Sequence, residues 1–149
     1  RLIGRRVGLV ELNRRAGQRA RASAAYEAAA GYFAAACALL SPDSWDNDYE
    51  GCFSLFIDRA DCECLSNHFD TSRELIKQIS AKAKNTIDHA RLCLLEMTMH
   101  LTQGHLPDAL NAGRRGLGQQ VGQGLFQQRR QRHRGQPQRR ALRLRGTHE

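Results

Sequence analysis

No window of this sequence alternates between apolar and polar residues for long enough to make a convincing β-strand, so a sheet is excluded as the organising layer. No apolar run approaches the roughly 20 residues that cross a bilayer, and the arginine-rich start lacks the apolar stretch of a secretory signal. A soluble, cytoplasmic protein is expected. Phosphate-binding signatures are missing too: there is no Gly-x-x-x-x-Gly-Lys-[Ser/Thr] loop and no kinase glycine-rich loop with its lysine and aspartates. The glycine-rich stretch "GRRGLGQQVGQG" has no preceding strand and no lysine. No catalytic residue, metal or cofactor is therefore expected in this segment. Arg1 stands where a Met would open a complete chain, which gives the expectation of a fragment whose parent could use ATP elsewhere.

Acidic residues almost vanish from the C-terminal stretch. The formal charge is +8, but residues 119–149 hold eight arginines and one glutamate, and residues 1–21 hold seven arginines and one glutamate. The middle, 22–118, carries a net −5 and makes an improbable polyanion surface. The segment 119–149, rich in Gln, Arg and Gly, cannot bury enough apolar surface to fold. It is expected to be a disordered tail, or the product of an out-of-frame reading, following a helical domain over 1–118. Five cysteines, Cys37, Cys52, Cys62, Cys64 and Cys93, are odd in number and fall inside apolar helical patterns, which argues for a reducing compartment and small core residues rather than disulfides.

What the chain does contain is apolar residues recurring at three and four, which predicts an all-α protein. Leu9, Leu12, Ala16 and Ala20 mark a first inward stripe, and Tyr26, Ala29, Phe33, Ala36 and Leu40 a second. After "SPDS", a helix is expected from near Asn47 with Glu50 as its capping pair, burying Tyr49, Cys52, Phe53, Phe56, Ile57, Ala60 and Cys64. Thr71 with Glu74 reads as a capping box for a helix with Leu75, Ile76, Ile79 and Ala83 inward. A fifth helix follows Asn85 with Ile87, Ala90, Leu94, Met97 and Leu101 inward, and Pro107 opens a sixth reaching about Leu117.

An internal period appears in these helices. Tyr26, Ala29, Phe33 and Ala36 align with Phe69, Ser72, Ile76 and Ile79, and with Leu106, Ala109, Gly113 and Gly116, at offsets of 43 and 37 residues. Nine alanines in the 18 residues Ser23–Leu40 fit a buried packing helix wedged between its partner and the next pair, where small side chains let backbones approach. Antiparallel helix pairs stacked as a short solenoid of about three repeats are expected, with Ala29, Phe33, Ala36, Ser72, Ile76 and Ala109 at the packing positions.

The order aromatic, small, aromatic or aliphatic, small resembles the second helix of a tetratricopeptide repeat. The run "AGQRARASAAYEAAAGYFAAACALLSPDSWDNDYE", with "RADCECLSNHFDTSRELI" and "LTQGHLPDAL", is similar to the degenerate tetratricopeptide region of large bacterial multidomain signalling proteins. Their order is a serine/threonine kinase, an AAA or STAND-type ATPase, helical repeats, then GAF and histidine kinase modules. The resemblance implies a noncatalytic module that binds a protein partner or relays between the ATPase and the sensor kinase. It departs at Gly51, where the family has a leucine, and stops after Gly116.

Candidate chemistry yields to plainer readings. Cys62 and Cys64 with His68 invite a metal, but residues two apart on a helix point away from each other. Asp88-His89 lacks the continuation of a phospho-accepting histidine motif and reads as a solvated first turn; His100 and His105 have no paired nucleophile. Arg14, Arg15, Arg19 and Arg21 have no interleaved aromatics for single-strand binding. Tyr49, Phe53, Arg59 and Asp61 are the candidate partner-binding positions, on the surface or in the groove lined by the first helices of each pair. The alternative reading is a small nucleic-acid-binding protein that uses its Arg-rich tail.

Overall fold

Three short turns organise the chain. A computed structural model describes residues 2–118, with side chains from Gly4 onward. The helices are α1 (Leu2–Ala22), α2 (Tyr26–Ala38), α3 (Ser44–Asn47), α4 (Tyr49–Leu65), α5 (Phe69–Ser80) and α6 (Thr86–Thr102). A seventh, α7, runs over residues 106–118. No strand occurs among the described residues. The expectation for residues 119–149 lies outside them.

The turns α1–α2, α4–α5 and α6–α7 share one backbone device. Ala24, Asn67 and Gly104 have φ of 56°, 64° and 76°. The next amide reaches back over the turn in each, from Ala25 to Ala20 O at 2.9 Å, His68 to Glu63 O at 2.8 Å and His105 to His100 O at 2.8 Å. The left-handed residue with this six-to-one bond caps the outgoing helix by satisfying its last carbonyls. Their spacings are again 43 and 37, so the period found in side chains recurs independently in the backbone. Each three-residue reversal folds the second helix back antiparallel onto the first.

The pairs then stack. α2 packs on α1 and on α4, α5 on α4 and on α6, and α4 touches α6. α4 therefore buries two faces: Leu55 and Cys62 join Ala29, Ala30, Phe33 and Ala36 of α2, while Phe53, Ala60 and Cys64 join Leu75, Ile76, Ile79 of α5 and Leu92, Leu95, Met99 of α6. All six expected packing residues are buried, Ala29, Phe33, Ala36, Ser72, Ile76 and Ala109. At Ser72 the helices come close enough for its hydroxyl to donate to Ala60 O at 2.8 Å. Cys62 and Cys64 fall in opposite clusters, as helical geometry requires of residues two apart.

Several local expectations are corrected. In α1, Leu12 is 64% exposed and Leu9 is exposed, while Val10, Gly17 and Ala20 face α2. In α6 the core takes Asp88, Leu92, Leu95 and Met99, and Ile87, Leu94 and Leu101 are exposed. Apolar residues surround much of α6, so spacing alone could not choose its inner face. The Thr71–Glu74 box does not cap α5, which begins at Phe69 behind His68 with no side-chain cap, because the turn passes straight into the helix. α4 begins at Tyr49, and its cap is Asp48, whose carboxylate accepts from Gly51 N at 3.0 Å. A Cβ on Gly51 would meet that carboxylate, so a side chain here would require the Asp48 cap to shift. The single turn α3, not foreseen, lays Trp45 on Phe56 (ring centroids 5.4 Å apart) and under the Lys82 ammonium.

Candidate interaction face

The first helix of each pair contributes to one line of charged contacts. Arg21, in the last turn of α1, donates to Asp58 at 2.8 Å and to Asp61 of α4. Arg91 of α6 donates to Glu50 at 2.7 Å and to Ser54 Oγ at 2.7 Å, both on α4. α1, α4 and α6 are thus tied in series by guanidinium groups, whose several donors suit them to bridge two acceptors at once. Burial raises the Asp58 carboxyl above its ordinary value, with Arg21 opposing. Glu11 is held below its ordinary value by hydrogen bonds from Arg15 and Arg14.

These pairings change the reading of the basic N-terminal segment. Arg14 and Arg15 are spent on Glu11, at 2.9 and 2.8 Å, and Arg21 on the α4 aspartates. Three of the four arginines singled out in the sequence thus have carboxylate partners, two of them sharing Glu11.

The four candidate surface or groove residues stand on separate faces. Phe53 is 0% exposed and belongs to the core, with the Arg91 guanidinium over its ring at 5.2 Å, so its placement on a groove is corrected. Its i+3 and i+7 partners Phe56 and Ala60 had already marked it as a core residue. Tyr49 is half-buried and turns toward the α5–α6 link, donating to Asp88 at 2.7 Å, with Lys82 O at 3.0 Å. Arg59 turns toward Cys37 of α2 and pairs with Glu63 at 3.8 Å. Only Asp61 lies in the charged line, through Arg21.

Asp88 is the largest surprise, because a first-turn aspartate expected in solvent is 1% exposed. It completes a capping box with Asn85 and accepts from Tyr49 Oη and from the Lys84 amide at 3.0 Å. Burial pushes its carboxyl up, but the Tyr49 hydroxyl and the backbone amides outweigh this and hold it below its ordinary value. Burial, reinforced by Asp88, pushes the Tyr49 phenol up to about 12. The signal was present as Asn85-x-x-Asp88, a capping pair. Pairs formed between helices, such as Arg21–Asp58 and Arg91–Glu50, leave no spacing signal within one helix.

A cleft of about 460 Å³ opens between the first half of α1 and the α2–α3–α4 connection, lined by Arg6, Val7, Val10, Leu40, Asp43, Asn47 and Cys52 among others. Its thiol is a poor nucleophile, since burial raises Cys52 above its ordinary value. Burial also pushes Cys37 and Cys62 up to about 11. No protein-family model, curated protein or solved structure matches the chain.

Proposed function

We propose that this chain is a noncatalytic helical-repeat module of a larger bacterial signalling ATPase or kinase. In that role it binds a protein partner or the adjacent domains of its parent and relays the state of the ATPase to a sensor kinase. The observation that carries the reading is the threefold recurrence of the same capped turn at offsets of 43 and 37, which makes a repeat scaffold rather than an arbitrary bundle. Repeat scaffolds present extended surfaces, and the charged line across α1, α4 and α6 supplies polar groups for one. ATP would belong to other domains of the parent.

Photo-reactive side chains placed in the parent cell test this. Arg15, which stands 43 residues before Asp58, and Glu50 report on the first-helix face; Thr71 and Lys77 report on the outer face of α5. The expected result is one protein or one adjacent domain captured from Arg15 and Glu50 and not from Thr71 and Lys77. Equal capture from both faces, or none from the first, refutes the assignment.

A further inference from the structure

The third turn differs from the other two in what its side chains can do. The residues joined by the six-to-one backbone bond are Ala20 and Ala25 in the first turn, Glu63 and His68 in the second, and His100 and His105 in the third. In the second they satisfy each other, His68 Nδ1 lying 2.8 Å from a Glu63 carboxylate oxygen. In the third, two imidazoles face each other with ring centroids 6.4 Å apart, and His100 Nδ1 is buried with no hydrogen-bond partner. In the first turn of α7, Asp108 brings a carboxylate. One donor atom from each of His100, His105 and Asp108 lies within 4.8 Å of the others.

We propose that His100, His105 and Asp108 form a zinc-type divalent metal site that clasps the end of α6 to the start of α7. Two imidazoles and one carboxylate suit Zn²⁺, Co²⁺ or Ni²⁺, whereas Mg²⁺ and Ca²⁺ call for more oxygen donors. Zn–N and Zn–O bonds of about 2.0–2.2 Å put tetrahedral donors roughly 3.3–3.6 Å apart. The three side chains must therefore close by about 1.5 Å at most. His105 and Asp108 are exposed and can make that movement by side-chain rotation, while Gly104 at φ 76° fixes the turn between the rings. Water completes the coordination. The positions equivalent to Asp108 are Thr71 and Ala28, so only the third turn assembles three ligands.

The full chain, untagged and reduced, is titrated with Zn²⁺ by calorimetry and with Co²⁺ by absorption at about pH 7.5, where a free imidazole is mostly neutral. One equivalent should bind, raise the melting temperature, and give a Co²⁺ spectrum without thiolate charge-transfer bands. His105→Ala and Asp108→Ala should each weaken Zn²⁺ binding at least tenfold while leaving the metal-free melt unchanged, and His68→Ala should leave the affinity as it was. Unchanged affinity in both of the first two variants, thiolate bands with Co²⁺, or no binding by the wild-type chain at millimolar Zn²⁺ overturns the site.

Discussion

Gly17 gives the sharpest test of how the first pair is held. It lies inside α1 under Phe33, and a Cβ built on it would sit 2.6 Å from the Phe33 ring, whose own exposure is 0%. Gly8 lies in the same helix with nothing within 4 Å of its would-be Cβ. Both Gly→Ala changes gain the same helix propensity, about 1 kcal/mol. Only Gly17→Ala must also push a buried ring out of place, at about 1–3 kcal/mol. Gly8→Ala should therefore raise the melting temperature, and Gly17→Ala should fall below it by about 1–3 kcal/mol, at about 3–5 °C per kcal/mol for a domain of this size. Circular dichroism melts and urea unfolding read both. A rescue follows from the second pair, where Ala60 and Ile76 stand 43 residues after Gly17 and Phe33 and share one cluster. Phe33→Ile alone leaves space over the glycine and should cost about 1–2 kcal/mol, less than a Phe→Ala truncation. The double variant Gly17→Ala/Phe33→Ile rebuilds the Ala60/Ile76 combination and should be more stable than the two single losses added together. Equal stabilisation by Gly8→Ala and Gly17→Ala, or strict additivity in the double variant, would refute the crossing.

Ala24 holds a left-handed conformation at φ 56° where the third turn has glycine, so Ala24→Gly should stabilise by about 0.5–1 kcal/mol despite the added freedom of the unfolded chain, as a melt will show. Ala36→Leu should overpack the α2 crossing and cost about 1–3 kcal/mol, whereas Ala35→Leu, on the exposed side of the same helix, should change the urea midpoint little. Asp88→Asn replaces a buried acceptor of three donors with an amide that presents its own hydrogens, and should cost about 1–3 kcal/mol at neutral pH. Because the folded carboxyl is held below its ordinary value, its contribution is present above the unfolded pKa and is lost as pH falls through the folded one; a pH series of melts should show a shallower acid limb in Asp88→Asn. ATP, with or without Mg²⁺, should leave the melting temperature unchanged even far above any physiological concentration, since nucleotide-binding signatures are missing.

The second helices were legible because their inner faces carry one kind of residue. In α2 the buried positions are Ala29, Ala30, Phe33 and Ala36 and in α5 Ser72, Leu75, Ile76 and Ile79, and the remaining positions are mostly polar or alanine with Tyr32 as an exposed exception, so one face stood out as the inward one. α1 offered the opposite. Its inner face is built around a glycine that accepts a ring from the other helix, and its leucines point outward, so the eye goes to the wrong stripe. α6 has apolar residues on two faces, one for α4 and α5 and one toward α7, where Ala90, Cys93 and Met97 line a recess with Gly113 and Gly116. Spacing cannot rank two such faces. The charged line was illegible for another reason: Arg21 and Asp58 are 37 residues apart and meet only because the pairs stack.

The same crossing in the three pairs explains why the repeat is faint as a string yet regular as a structure. The residue of the first helix and the residue of the second that meet there are Gly17 and Phe33 in the first pair and Met97 and Gly113 in the third, with a Cβ on Gly113 3.3 Å from Met97 Sδ. Between them stands Ala60 with Ile76. The bulk moves from the second helix to the first along the chain while the space shared by the two side chains stays filled. Close packing constrains the filled volume, not which helix supplies it. A comparison position by position therefore finds phenylalanine against isoleucine against glycine, and scores a mismatch where the packing is equivalent. The backbone keeps what the side chains trade: the left-handed residue and its six-to-one bond recur in all three turns, and the longer first interval is taken up by α3 and its flanks between the pairs, outside the turns that set their geometry.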